Sequence, residues 1–328
     1  MMLARLIASI AALLFITPAS AADKVRFGTN WMAQPEHGGF YQAVADGTYA
    51  RYGLDVEIVQ GGPQVNNRLL MINGQLDFYM GGNLLQPFTA AERKQPVVVV
   101  AAIFQKDPQI LLTHPDDSFR TFADLKKATL FLSQQTVVST FQWMKSEWGF
   151  SDAQVKPYAF SPAPFLADKR SAQQGYVTSE PFTIERAGGF KPRIFLLADY
   201  GFDSYSTTIE TRPDLIAKKS DIVSRFVNAS IEGWKTYLNG DNTAANALIR
   251  QLNPDISPEL IDYSVRAMRA YGLVENADNR TTGIGAMDPA KVENFFRDMV
   301  KAGLVKPDTD WRKAFNFTYV NRGLATKK

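Results

Sequence analysis

The chain has 328 residues, 45% hydrophobic and 21% charged, and its 36 Lys and Arg nearly balance 33 Asp and Glu for a net charge of +3. That balance, with no basic stripe interleaved with aromatics, argues against a nucleic-acid surface. Cysteine is absent and only His37 and His114 are present, which excludes disulfides, thiolate nucleophiles and cysteine metal sites and leaves little for zinc.

The N-terminus carries Arg5, an apolar run from Leu6 to Ile16, the break Thr17-Pro18 and the small-x-small pattern Ala19-Ser20-Ala21. This is the layout of a cleaved export signal, and the run is too short to span a bilayer with ease. Residues 1–21 are therefore predicted to be removed before Ala22. With no cysteine to carry a lipid, the mature chain is expected to be free in the periplasm.

Strand and helix signals then alternate. "KVRFGTNW" (24–31) reads as a strand and "GGFYQAVADGTYARYG" (38–53) as a helix. "LDVEIVQ" (54–60), "LDFYMGG" (76–82) and "VVVVAAIFQ" (97–105) read as further strands, separated by helices at 64–74 and 83–95. A βαβαβαβ series predicts a parallel sheet covered on both faces. No G-x-G-x-x-G follows the first strand, so a dinucleotide site is not indicated. A second α/β unit follows, with strands predicted at 128–133, 155–160, 173–179 and 193–201 and an amphipathic helix at 136–150. The chain returns through a strand at 205–211 and ends in a series of helices. Crossings near 107–118 and 200–208 make this a clamshell: lobe 1 from 22–112 and 204–328 with a helical C-terminal tail, and lobe 2 from 113–203.

Several segments carry a family resemblance: "NWMAQPEHGGFYQAVADGTYARYGLDVEIVQGG" (30–62), "INGQLDFYMGG" (72–82), "PVVVVAAIFQ" (96–105), "FADLKKATLFL" (122–132), "YVTSEP" (176–181), "DIVSRFVNASIEGWKTYLNG" (221–240) and "VENFFRDMVKAGLV" (292–305). Through them the chain resembles the periplasmic solute-binding proteins of ABC importers. The branch it is similar to is the one related to thiamine-pyrimidine synthase and the pyrimidine-precursor binders. The resemblance implies a two-lobed, type II-like clamshell with a ligand cleft between the lobes. It also implies delivery of a small flat heterocycle to an ABC permease and its ATPase in the inner membrane, as a monomer without cofactor. A binder of alkanesulfonate, nitrate or taurine-like anions is the alternative ligand class. A pyrimidine-synthase-like enzyme is the alternative of another kind. The synthase carries a cysteine-rich motif that this chain lacks, so no catalytic residue is expected.

Candidate contacts follow from the strand ends. Trp31 leaves the first strand at its carboxyl end, where open α/β sheets hold ligands, and the resemblance implies that it stacks on the ligand. Gly38 and Gly39 are read as allowing close backbone approach, and His37 as a hydrogen-bond partner of the ligand or a brace of its loop. Of Phe40 and Tyr41, one is expected to pack inward, with Tyr41 able to reach the cleft. Asn83, Gln86 and Gln105 stand at or after strand ends. Gln134, Gln135 and Thr136 join a strand to a helix in lobe 2. The stretch "GYVTSEP" resembles the family's Tyr-x-x-x-Glu-Pro segment, which implies that Tyr176 and Glu180 face the cleft. A carboxylate there would accept from a ring N–H and repel an anion. The other reading of Glu180 is a helix cap or a partner of Arg186. Asp203, at the hinge, is a weaker candidate.

Overall fold

A computed structural model describes residues 21–62, 65–116, 118–159 and 161–323. The segment read as an export signal lies outside the described residues apart from its last residue. Among the described residues, no helix is long and apolar enough to cross a membrane.

The strands are β1 (Asp23–Gly28), β2 (Leu54–Val59), β3 (Phe78–Gly81), β4 (Val98–Phe104), β5 (Gln109–Thr113), β6 (Thr129–Leu132), β7 (Val155–Pro157), β8 (Ser171–Tyr176), β9 (Arg193–Leu196) and β10 (Ser206–Thr211). Among the described residues they form two five-stranded sheets, ordered β2-β1-β3-β10-β4 and β7-β6-β8-β5-β9. β10 runs antiparallel to β3 and β4, and β5 antiparallel to β8 and β9. The first sheet is thus mixed rather than parallel. The reason is topological: a chain that crosses between lobes enters the new sheet from the end opposite to the one its βα units use. Each crossing inserts one reversed strand at the same place, so the two sheets share one strand order although the sequence shows no repeat. β5 belongs to the second sheet, so the first crossing falls before Gln109 rather than after residue 112.

Local chemistry explains the element boundaries. β4 reads VVVAAIF and is buried at every position, as a β-branched run between two covering layers should be. The helix expected over 38–53 divides into Gly38–Ala45 and Thr48–Arg51, because Gly47 turns left-handed (φ +73°) and Asp46 caps Thr48 N–H at 2.9 Å. The helix expected over 136–150 starts at Gln134, breaks at Ser139 and resumes as Thr140–Trp148, stopped by left-handed Gly149. The long helix Pro213–Asn239 crosses the first sheet and centres its core. Phe226 stacks on Phe78 at 4.1 Å and Tyr49 at 5.3 Å, all three buried.

Two short crossings, 105–108 and 201–205, join the lobes. Further contacts tie them together: Tyr263 Oη donates to Val177 O at 3.1 Å and Ser264 Oγ to Thr178 O at 2.7 Å, both from the helix Pro258–Ala270.

Candidate ligand-binding site

The carboxyl ends of β1, β3 and β4 in one lobe, and of β6 and β8 in the other, converge at the crossings. The loop after β1 is bolted in place. Asn67 Nδ2 donates to Thr29 O at 2.9 Å and Val59 O at 3.0 Å, Thr29 Oγ1 and Gly61 N–H both donate to Trp31 O, and Ala33 N–H reaches Gln60 Oε1 at 2.7 Å. Trp31 stands half-buried on this rigid loop.

The next turn, Pro35–His37, supplies Glu36. It is buried, and its Oε1 accepts a hydrogen bond from the hydroxyl of Thr178 in the other lobe. Burial raises the Glu36 carboxyl above its ordinary range, the Thr178 bond pulls it back, and the charge of Glu180 raises it again. Asp107, on the first crossing, is buried and accepts Gln109 N–H at 2.9 Å. Burial pushes it up to about 7, against the backbone bond and the Asn83 amide, which favour the charged form. Glu180 opens the helix Glu180–Gly188, and its Oε2 accepts from Tyr176 N–H at 2.7 Å and from the Ser179 hydroxyl. It too is raised by burial.

Tyr176 is the centre of this group. Its hydroxyl is raised by burial and then by the charges of Asp107, Glu36 and Glu180, so all three carboxylates lie within its electrostatic reach. Acids from both lobes and from a crossing therefore lie on the segments that converge near this tyrosine. Such a group can accept N–H donors, and a positively charged ligand would favour its ionised form.

The structure sorts the predicted contacts. Trp31, Asn83, Tyr176 and Glu180 lie on these converging segments. Asn83 is buried, its Oδ1 accepts Leu85 N–H at 3.2 Å, and the neighbouring Leu84 N–H donates to Ser204 Oγ on the second crossing. Glu180 ties the start of its helix back to the end of β8 through Tyr176 N–H, and Arg186 lies 3.9 Å from Glu259 rather than pairing with Glu180. Other residues take different roles. A Cβ on Gly38 would lie 2.1 Å from the Tyr237 ring, and one on Gly39 2.1 Å from Trp234, so these glycines admit the helix Pro213–Asn239 rather than a ligand. Phe40 and Tyr41 are both core. His37 is fully buried, neither ring nitrogen has a hydrogen-bond partner among the described residues, and burial lowers it to about 3, so the imidazole is neutral.

Gln105 turns away from the junction: Nε2 donates to Ala102 O at 2.9 Å and Ala286 O at 3.1 Å. Gln86 folds back to accept Gly82 N–H at 3.3 Å. Thr136 is half-buried and Ser133 Oγ caps its N–H, whereas Gln134 and Gln135 are exposed. Asp203 pairs with Lys291 at 2.6 Å.

Sequence reasoning missed Glu36 and Asp107, although Glu36 adjoins the His37 it singled out and Asp107-Pro108 follows closely on β4. It also missed an arginine near the end of β3. Arg68 Nε pairs with the buried Glu210 Oε2 at 2.9 Å, and Arg68 Nη1 donates to Gln86 O at 3.1 Å. Glu210 offsets that positive charge. Gly81 makes room for the pair, since a Cβ there would meet Glu210 Oε1 at 2.3 Å.

A profile of the family described as "NMT1/THI5 like" matches residues 34–244, more than half of the chain. The chain belongs to this family. The match begins beside the Pro35–His37 turn and runs through the whole second lobe and the long helix to the start of the next one. Among relatives, the riboflavin-binding protein RibY of Chloroflexus aurantiacus is 25% identical over 245 residues, 71% of this chain and 68% of that protein. Among solved structures, the alkanesulfonate-binding protein SsuA from Xanthomonas axonopodis pv. citri, bound to MOPS, is 13% identical with a TM-score of 0.64 over 91% of this chain and 99% of that one. The desulfurization enzyme DSZB has a TM-score of 0.60 at 12% identity, covering 92% and 99%. These structures share the periplasmic-binding-protein fold with this NMT1/THI5-like chain. At such identities they speak to the fold alone.

Proposed function

We propose that this NMT1/THI5-like protein is the periplasmic solute receptor of an ABC importer, closing two lobes around a small, flat, N–H-bearing heterocycle of the pyrimidine or thiamine-precursor kind. It would hand this solute to a membrane permease driven by its ATPase, acting as a monomer after loss of residues 1–21. The observation that carries the reading is the meeting of Glu36, Asp107 and Glu180, drawn from both lobes and a crossing, around Tyr176. The heterocycle would stack on Trp31 and give its N–H groups to these acids. RibY, a relative named for binding the flat heterocycle riboflavin, supports this ligand class. The sulfonate binders share the fold, and the cation nearest the end of β3, Arg68, is paired through Nε with Glu210.

Catalysis is the weaker reading. DSZB indicates that the fold itself is compatible with an enzyme. The cysteine-rich motif of the synthase branch has no counterpart in a chain without cysteine, however, and a fully buried neutral His37 is poorly placed to meet a substrate.

Fluorescence titration with an aminopyrimidine and with riboflavin tests the site. Ligand should quench or shift tryptophan emission, and Trp31→Ala should weaken binding at least about tenfold, or ~1.4 kcal/mol. Unchanged affinity in Trp31→Ala would remove the stacking argument.

A further inference from the structure

The helix Pro289–Lys301 lies along both crossings, and its side chains hold each of them. Lys291 Nζ donates to Gln105 O at 3.0 Å on the first crossing and to Asp203 Oδ1 at 2.6 Å on the second. The same ammonium lies 5.1 Å from the ring centroid of Tyr205, whose hydroxyl accepts Asp288 N–H at 2.8 Å. One turn on, Phe295 meets Phe202 edge to face at 5.2 Å, and at the helix end Lys301 pairs with Glu147 of the second lobe at 2.6 Å. The helix is rooted in the first lobe, where Phe295 and Phe296 pack on Phe88, and Phe296 on Trp311. Beside Lys291 a cavity of about 600 Å³ is bounded by Gln105, Asp203, Tyr205 and the start of this helix, so the lysine side chain bridges the crossings next to open space.

We infer that Pro289–Lys301 is a hinge strut, with Lys291 as the pin that fastens both crossings in the lobe arrangement seen here. Rotating one lobe against the other changes backbone torsions at 105–108 and 201–205. A single ammonium bonded to both segments couples those changes, because neither can swing without breaking or dragging the other's bond. Lys291 keeps only 15% of its side chain exposed, although Asp203 is 55% exposed, so the part-buried bond to Gln105 O is the better shielded of the two. Lys301–Glu147 is more exposed and adds less. The strut touches none of the residues proposed to hold ligand, so it would set how readily the lobes open and not what they bind.

The absence of cysteine makes the test direct. Lys191→Cys in the second lobe and Lys218→Cys in the first, both at well-exposed side chains, give two unique sites for spin labels on the full chain. The interlobe distance distribution is then measured without ligand. The parent should show one dominant distance. Lys291→Met should shift the ratio of the two lobe arrangements by about threefold to tenfold, as expected for losing a part-buried charged bridge. Asp203→Asn should shift it in the same direction, and Lys291→Arg should restore the parent distribution. If Lys291→Met fails to fold, Asp203→Asn and Glu147→Gln decide. Distributions in the folded variants that superimpose on the parent would overturn the proposal. A change in unfolding midpoint with no change in distance would overturn it equally, since that is all a merely structural lysine would give. No ligand enters this experiment, so its result is independent of the proposed solute.

Discussion

Gly39→Ala should destabilise the protein by about 3 kcal/mol or more, the upper range for overpacking a filled core. The added Cβ would sit 2.1 Å from the Trp234 ring, far inside van der Waals contact. The indole has nowhere to go: it is fully buried, with Phe40 at 5.8 Å, Phe104 at 5.7 Å and Tyr237 at 6.0 Å around it. Backing the helices apart is equally costly. Gly233 lies so close that a Cβ there would meet Gly39 O at 2.3 Å, so the two helices touch through glycine on both sides. The check is a denaturant unfolding midpoint, followed by ligand titration of whatever remains folded. A Gly39→Ala protein of unchanged stability but weakened binding would show that the glycine faces the ligand after all.

That prediction also marks where the sequence stopped being readable. The elements themselves were largely legible because their signals are local, as in the unbroken β-branched run of β4, although the stop at Asp46-Gly47 was read through. The role of Gly38-Gly39 was not, because the reason for these glycines lies far downstream, in Gly233, Trp234 and Tyr237. Strand order was hidden for the same reason. Nothing near Ser206–Thr211 says that it will slot between β3 and β4, since that depends on the chain returning from the other lobe. At the junction, Tyr176 and Glu180 were found through a family phrase. Glu36 and Asp107 were passed over because an acid in a loop looks solvated until a second lobe covers it. Gln105 misled in the opposite way: a polar residue at a strand end reads as a ligand contact, but its amide is used up on Ala102 O and Ala286 O.

Glu180→Gln should weaken heterocycle binding some ten- to a hundredfold with the fold intact. The hydrogen bonds at the helix start explain why. Oε2 of Glu180 is committed to Tyr176 N–H and the Ser179 hydroxyl, both donors. In the variant the single remaining side-chain oxygen must stay on that side, which turns the new amide NH₂ outward. A ligand N–H that had an acceptor then faces a donor. An unpaired buried donor costs about 1–3 kcal/mol, more where charge is involved, which sets the expected range. Thermal stability should change little, because the two bonds at the helix start survive. Titration of parent and variant with an aminopyrimidine and with an alkanesulfonate reads the effect. Equal affinity of both proteins for the heterocycle would mean that Glu180 only ties its helix to the end of β8.

Thermal unfolding of the purified mature protein against a panel of aminopyrimidine, riboflavin, alkanesulfonate and nitrate tests the central claim most directly. A ligand at a hundred times its Kd that binds only the folded state adds about 2.7 kcal/mol by mass action, a readily visible shift. The account predicts that a neutral or cationic N–H-bearing heterocycle raises the midpoint and that the anions leave it unchanged. A rise with alkanesulfonate or nitrate and with none of the heterocycles would contradict it.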